Sequence, residues 1–165
     1  MSANDYFQNA KEPWVYYKYL IDLLGLDPSH PTVQTARKAM LEHPLIQSLL
    51  EELKRWPGTV LNSHKSAQQL YHKVEFLADL GLSDQEDPIG EVLNQMKEHL
   101  TSEGIPCLPM QISEAHGGSN TPTWAWALCD APVQLYALVN LSAEGIDPYR
   151  PAIETLIELV QTNGW

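Results

Sequence analysis

Cysteine, phenylalanine and positive charge are all scarce in this chain of 165 residues. It holds two Cys and two Phe, and ten Lys and Arg stand against 21 Asp and Glu. The two cysteines, Cys107 and Cys129, can form one disulfide but not the dense framework of a small secreted domain. With its six His neutral the formal charge is −11. Such a balance repels nucleic-acid phosphates and anionic lipid surfaces at long range, and no Lys/Arg cluster offsets it. Long apolar runs are missing too, so no membrane span is expected. The start, Met1-Ser2-Ala3-Asn4-Asp5, lacks the basic region and apolar run of a signal peptide. These absences point to a cytoplasmic protein with no nucleic-acid partner.

An apolar share of 44% is ordinary for a globular protein, and the length suits a single domain. Five Trp and seven Tyr are less ordinary. Both residues carry a broad apolar body with a polar tip, which suits pocket walls and interfaces as well as cores.

A three-copy pattern organises the chain. Leu20-Ile21-Asp22-Leu23-Leu24-Gly25-Leu26 precedes Pro31, and Leu77-Ala78-Asp79-Leu80-Gly81-Leu82 precedes Pro88. Leu138-Val139-Asn140-Leu141, then Gly145-Ile146, precedes Pro148. The three prolines are 57 and 60 residues apart, a period that fits a repeated helical hairpin. A lone hairpin cannot bury both its apolar faces, so such units pack side by side.

Helix signals dominate between these turns. Pro13 opens a stripe of Trp14, Tyr17, Leu20, Ile21 and Leu24, which Gly25 stops. Val33, Ala36, Met40 and Leu41 follow Pro31, and Leu45, Leu49, Leu50 and Leu53 follow Pro44. Trp56-Pro57-Gly58 breaks the helix. Ser63 is the expected N-cap of a helix through Ala67, Leu70, Tyr71, Val74, Leu77 and Ala78. Asp87-Pro88 opens a stripe of Ile89, Val92, Leu93, Met96 and Leu100. Gly104, Pro106, Pro109, Gly117, Gly118 and Pro122 forbid a long helix between 102 and 123, where residues 107–112 suit an extended segment. Asp130 then caps a helix whose expected buried side is Val133, Leu135, Tyr136, Leu138 and Val139. Asp147-Pro148 opens the last, with Ile153, Leu156, Ile157 and Val160. The expected hairpins cover about 12–43, 63–101 and 129–165 of one helical-repeat domain.

The ending Leu156-Ile157-Glu158-Leu159-Val160-Gln161-Thr162-Asn163-Gly164-Trp165 resembles the glutamine-tryptophan repeat of triterpene cyclases. With the hairpin period, the chain resembles the terpenoid cyclase and protein prenyltransferase superfamily. That resemblance implies an all-α fold of helical hairpins in an α/α toroid, with Gln161 capping a neighbouring helix and Trp165 stacked over it. Gly164 adjoins Trp165 directly, where the family has a spacer, and the second copy keeps only Gly104 at the matching place. Three hairpins make a partial toroid, which implies self-association, a partner helical domain, or descent from a longer ring.

The acids that define the superfamily's chemistry are missing. Neither Asp-x-Asp-Asp nor Asp-Asp-x-x-Asp occurs, and Glu51-Glu52 leads into Leu53-Lys54-Arg55, a solvated face. Cys129-Asp130 reverses and closes up the Asp-x-Cys of zinc-binding prenyltransferases, so no zinc ligand is assigned and no cofactor is called for. His64, His72, His116, Cys129 and Asp130 are suitable ligand types, but only His64 and His72, eight apart, have a spacing that shares a helix face. Cys129 before a helix start, with His116 nearby, is a weak nucleophile pattern against a packed free thiol. Gly117-Gly118-Ser119 lacks the context of a phosphate loop. No catalytic residue is assigned. The candidate ligand-pocket residues are Trp124, Trp126, Asp130, Tyr136, His64 and His72, and the candidate interface residues are Val160 and Trp165. The expected role is that of a non-catalytic or cryptic prenyltransferase-like helical-repeat domain serving binding or assembly. The alternative is an enzyme or carrier whose cavity holds an isoprenoid-like apolar molecule.

Overall fold

Proline and glycine punctuate the chain where helices begin and end. The computed structural model describes residues 3–63 and 68–162, so the expectations that fall on His64, Ala67, Gly164 and Trp165 lie outside it. Among the described residues eight α-helices and one two-stranded sheet form, and the chain is mostly helical. It divides into two compact units, Met1–Leu50 and Glu51–Trp165.

In the first unit α1 (Ala3–Gln8) leads to α2 (Pro13–Lys18), α3 (Pro31–Leu41) and the start of α4 (Pro44–Leu53). Pro13, Pro31 and Pro44 each occupy a first helical position, where the missing N–H has no partner to lose. His30 caps α3 by accepting the Thr32 N–H at its Nδ1 (3.2 Å). Beyond α2 the backbone widens into a π-helical turn, Tyr19–Leu23, in which the Leu24 N–H reaches back to the Tyr19 carbonyl (3.1 Å). The extra residue shifts the 3.6-residue repeat. The expected stripe therefore breaks: Tyr17, Tyr19 and Leu20 are buried, whereas Leu24 is turned out. Phe7 stacks on Tyr19 at 4.4 Å, and Trp14 meets His43 edge-on at 5.2 Å. Val33, Ala36 and Met40 face the core as their spacing predicts, while α4 buries Ile46 rather than Leu45.

The second unit contains α5 (Leu70–Asp79), α6 (Ile89–Lys97), strand β1 (Leu108–Met110), strand β2 (Thr123–Ala125), α7 (Ala131–Leu141) and α8 (Arg150–Glu158). β1 and β2 pair antiparallel with Leu108 opposite Ala125, so the expected extended segment forms. Leu61 joins this edge through its N–H to the Pro109 carbonyl (2.7 Å). Three links of rising residue number tie α5 to α7. The Asp130 charge acts on Tyr71, the Tyr136 hydroxyl donates to Asp79 (2.7 Å), and the Asp84 N–H donates to the Leu141 carbonyl (2.8 Å). The two helices therefore run side by side in the same direction.

Three cap expectations are corrected, and a fourth holds in position. α5 begins at Leu70 with Gln69 at the cap, not at Ser63. α6 begins at Ile89 with Pro88, not Asp87, at the cap. There the Glu86 side chain accepts the Ser83 N–H (2.7 Å) and its carbonyl accepts the Ile89 N–H (2.7 Å), closing the turn ahead of the helix. Asp147-Pro148 forms a 3-10 turn, and α8 starts only at Arg150. Asp130 holds the cap position of α7, but its side chain makes no capping bond there.

Candidate functional site

Every side chain of α7 is uncharged, and apolar residues surround the whole helix. Helices of that kind are normally enclosed on all sides. Here Ala131, Gln134, Leu135, Ala137, Leu138 and Leu141 are buried, while Tyr136 stays 42% exposed. The sequence-based expectation placed Val133, Tyr136 and Val139 on the buried side. With no charge to mark an outer face, periodicity could not separate the two sides.

The unenclosed side of α7 faces α8 across an apolar trough of about 310 Å³. Pro132, Leu135, Tyr136 and Val139 form one wall at helical i, i+3, i+4, i+7 spacing. Ile153, Leu156 and Ile157 form the other, and Ile146 closes one end from the connecting turn. Ile157 is 61% exposed and Ile146 46%, so the walls stand open to water. Beyond α8, Leu159 and Val160 continue the exposed apolar surface. The interface candidate Val160 thus lies on an apolar, exposed stretch. Trp165 lies outside the described residues.

The Tyr136 hydroxyl is anchored to Asp79. That bond, with further weight from burial and the charges of Asp79 and Glu75, pushes the phenol above its usual pKa. On α8, Arg150 pairs with Asp147 (2.9 Å), and at the end of α6 Lys97 pairs with Glu144 (2.7 Å).

Other candidates separate. Trp124 lies on β2, 44% exposed, with its ring stacked on His99 at 3.3 Å and nearly parallel to it (8°). Trp126 is half-buried. His72 adjoins Tyr71 (ring centroids 4.0 Å) and faces Glu75 at 3.7 Å. Its proposed partner on a shared face, His64, lies outside the described residues. Of the pocket candidates it is Tyr136 that lines the trough.

Asp130 is fully buried, and its Oδ1 accepts a bond from Gln134 Nε2 (3.2 Å). Tyr71, 2% exposed, places its hydroxyl in the same interior with no hydrogen-bond partner, and the Gln134 Oε1 is likewise unpaired. Burial and the neighbouring Asp130 charge push the Tyr71 phenol up to about 12. Sequence reasoning missed Tyr71 and Gln134 as polar interior groups, because both occupy positions of an apolar stripe. The one available signal was Gln134 lying four residues after Asp130, a spacing that brings side chains together on a helix.

Cys129 is exposed rather than packed, and both cysteines are free. Partial burial, then the Asp130 charge, raises the Cys129 thiol above its usual value. The Asp130 carboxylate thus opposes the thiolate that the helix start would favour. Among the described residues no group of three or more His, Cys, Asp or Glu is placed to hold a metal ion, and no helix is long and apolar enough to cross a membrane. Comparison of the chain with protein-family models, with curated proteins and with solved structures returned no match, so the functional reading rests on the molecule's own geometry.

Proposed function

We propose that this protein is a non-catalytic binding module, built from helical hairpins in the manner of a partial prenyltransferase-like toroid, that docks a helix of a partner protein between α7 and α8. The same-direction pairing of α5 and α7 supports the hairpin arrangement, because first helices of successive hairpins pack in that way. The observation that carries the binding role is the open apolar face of the uncharged helix α7. Two stripes at i, i+3, i+4 spacing offer what an amphipathic helix lays its own apolar face into. A trough of about 310 Å³ with exposed walls cannot enclose most of a lipid-like ligand, which weighs against the isoprenoid alternative. A charge of −11 on each copy opposes a second copy of this chain as the occupant.

The test is amide-shift mapping with a soluble helical peptide bearing Leu and Ile at i, i+3, i+4 and i+7, with farnesol as a comparison probe and sedimentation of the protein alone. The expected result is shifts confined to α7, the following turn and α8, lost in Ile157→Asp, whose exposed side chain can change without unfolding the chain. Absence of peptide binding, binding of farnesol alone, or a dimer that Ile157→Asp abolishes would each overturn the reading.

A further inference from the structure

The rim of the trough carries an excess of negative charge. On the α5 side Asp79 is held at the wall by the Tyr136 hydroxyl (2.7 Å), with Glu75 one helical turn earlier. On the α8 side Glu154 and Glu158, both exposed, follow Arg150 at i, i+4 spacing, beside the strip of Ile153 and Ile157. Residues 131–162 contain four acids, Glu144, Asp147, Glu154 and Glu158, against the single base Arg150. Arg150 is engaged chiefly by Asp147 and more weakly by the charge of Glu154, and the nearby Lys97 by Glu144. After the partial offset by Arg150 the α8 rim keeps an excess of negative charge, carried by Glu154 and Glu158, beside an apolar floor that contributes no charge of its own. A cation brought to that rim meets attraction on both walls, whereas an anion is repelled by both.

We infer that the docked helix is cationic and amphipathic, its apolar face seated on Tyr136, Val139, Ile153 and Ile157 and its Lys or Arg residues flanking that face toward Asp79 on one side and Glu154 and Glu158 on the other. This rests on the docking role proposed above and adds the chemistry of the partner. The apolar floor supplies affinity, and the acidic rim supplies selection and a faster encounter. Rim charges act mainly through association rate and salt dependence. At about 0.1 M salt the screening length is about 10 Å, so the rim is felt across the width of a helix; at about 1 M it shrinks to about 3 Å.

The test uses three helical peptides with one apolar face and flanks of Lys, Gln or Glu, titrated into the intact protein by calorimetry at low and high salt. The Lys-flanked peptide is expected to bind roughly tenfold or more tighter than the Gln-flanked one at low salt, with the Glu-flanked peptide weakest. The preference should collapse at about 1 M salt. The double variant Glu154→Gln/Glu158→Gln, altered only at exposed positions, should lower the ratio of Lys-flanked to Gln-flanked affinity by the share that the α8 wall supplies. Equal binding of all three peptides would overturn the charge inference and leave the docking role standing. Failure of all three would overturn the docking role itself. A preference that survives high salt would refute the acidic rim as its source, and an undiminished preference in the double variant would refute the part assigned to Glu154 and Glu158.

Discussion

Replacing a buried tyrosine by phenylalanine normally weakens a protein, because the hydroxyl leaves a partner behind. Tyr71→Phe is expected to do the opposite. The Tyr71 hydroxyl is buried with no hydrogen-bond partner, in an interior that also holds the Asp130 carboxylate. An unsatisfied buried polar group costs about 1–3 kcal/mol, and the phenyl ring keeps the apolar packing of α5. At neutral pH the variant should therefore match or exceed the parent by up to about 2 kcal/mol in urea denaturation. The alkaline limb adds an independent check. The phenol is raised from 10.0 to about 12 in the folded state. The folded chain thus binds the proton more tightly than the unfolded chain. Its contribution is complete below about pH 10 and is lost as pH rises from there to about 12. Two units correspond to about 2.7 kcal/mol at most, and water penetration reduces the measurable loss to about 1–2 kcal/mol. The parent should lose that increment relative to Tyr71→Phe, and phenolate absorbance should show one late-titrating tyrosine missing in the variant. Destabilisation by more than about 1 kcal/mol at neutral pH would refute the reasoning, since it would mean that the hydroxyl has a partner such as a bound water.

Two further outcomes follow from local geometry. Gly118 donates its N–H to the Ser113 carbonyl (3.0 Å), and a Cβ there would fall inside the radius of the Ile112 carbonyl oxygen. Gly118→Ala should open the 112–120 loop and speed proteolysis within it while leaving helix content unchanged; an unaltered cleavage rate would contradict the close approach. Glu144 is held below its usual pKa, chiefly by its bond from Lys97. It adds stability above the unfolded-state value near 4.5, and that stability is lost as pH falls through the lower folded value. Glu144→Gln should therefore melt below the parent near neutrality, and the gap should close as pH falls through the lowered folded value. A gap of constant size across that range would exclude the ion pair as its source.

Residue types that act on their own backbone were readable from the sequence. Pro31 and Pro44 open helices wherever the chain stands, and Gly25, Gly81 and Gly145 all adopt the left-handed conformation in the three repeated turns. The facing of Val33, Ala36 and Met40 was legible because polar residues mark the opposite side of α3. What failed depended on neighbours. The π-helical turn at Tyr19–Leu23 changes which of two apolar residues points inward, and no composition rule anticipates one inserted residue. Asp87 looks like a cap, yet Glu86 and Ser83 close that turn through bonds set by its three-dimensional shape. The polar interior around Asp130 joins α5 to α7, two helices far apart in sequence.

The candidate site follows the same physics. Tyr136 was legible in two ways, as a buried-side residue of an apolar helix and as a pocket candidate, and it lines the trough. A helix with apolar residues on every side carries more burial potential than one neighbour can use. α5 covers one side of α7, and α8 flanks the rest without sealing it, so Tyr136, Ile146 and Ile157 remain wetted. The acids at the rim make that exposure compatible with a free chain, since two such faces approaching each other would bring like charges together before their apolar floors could touch. The same repulsion turns to attraction for a helix carrying the opposite charge. An apolar surface that resists its own copy and admits a cationic partner needs both features on one face, and the α7–α8 trough holds both.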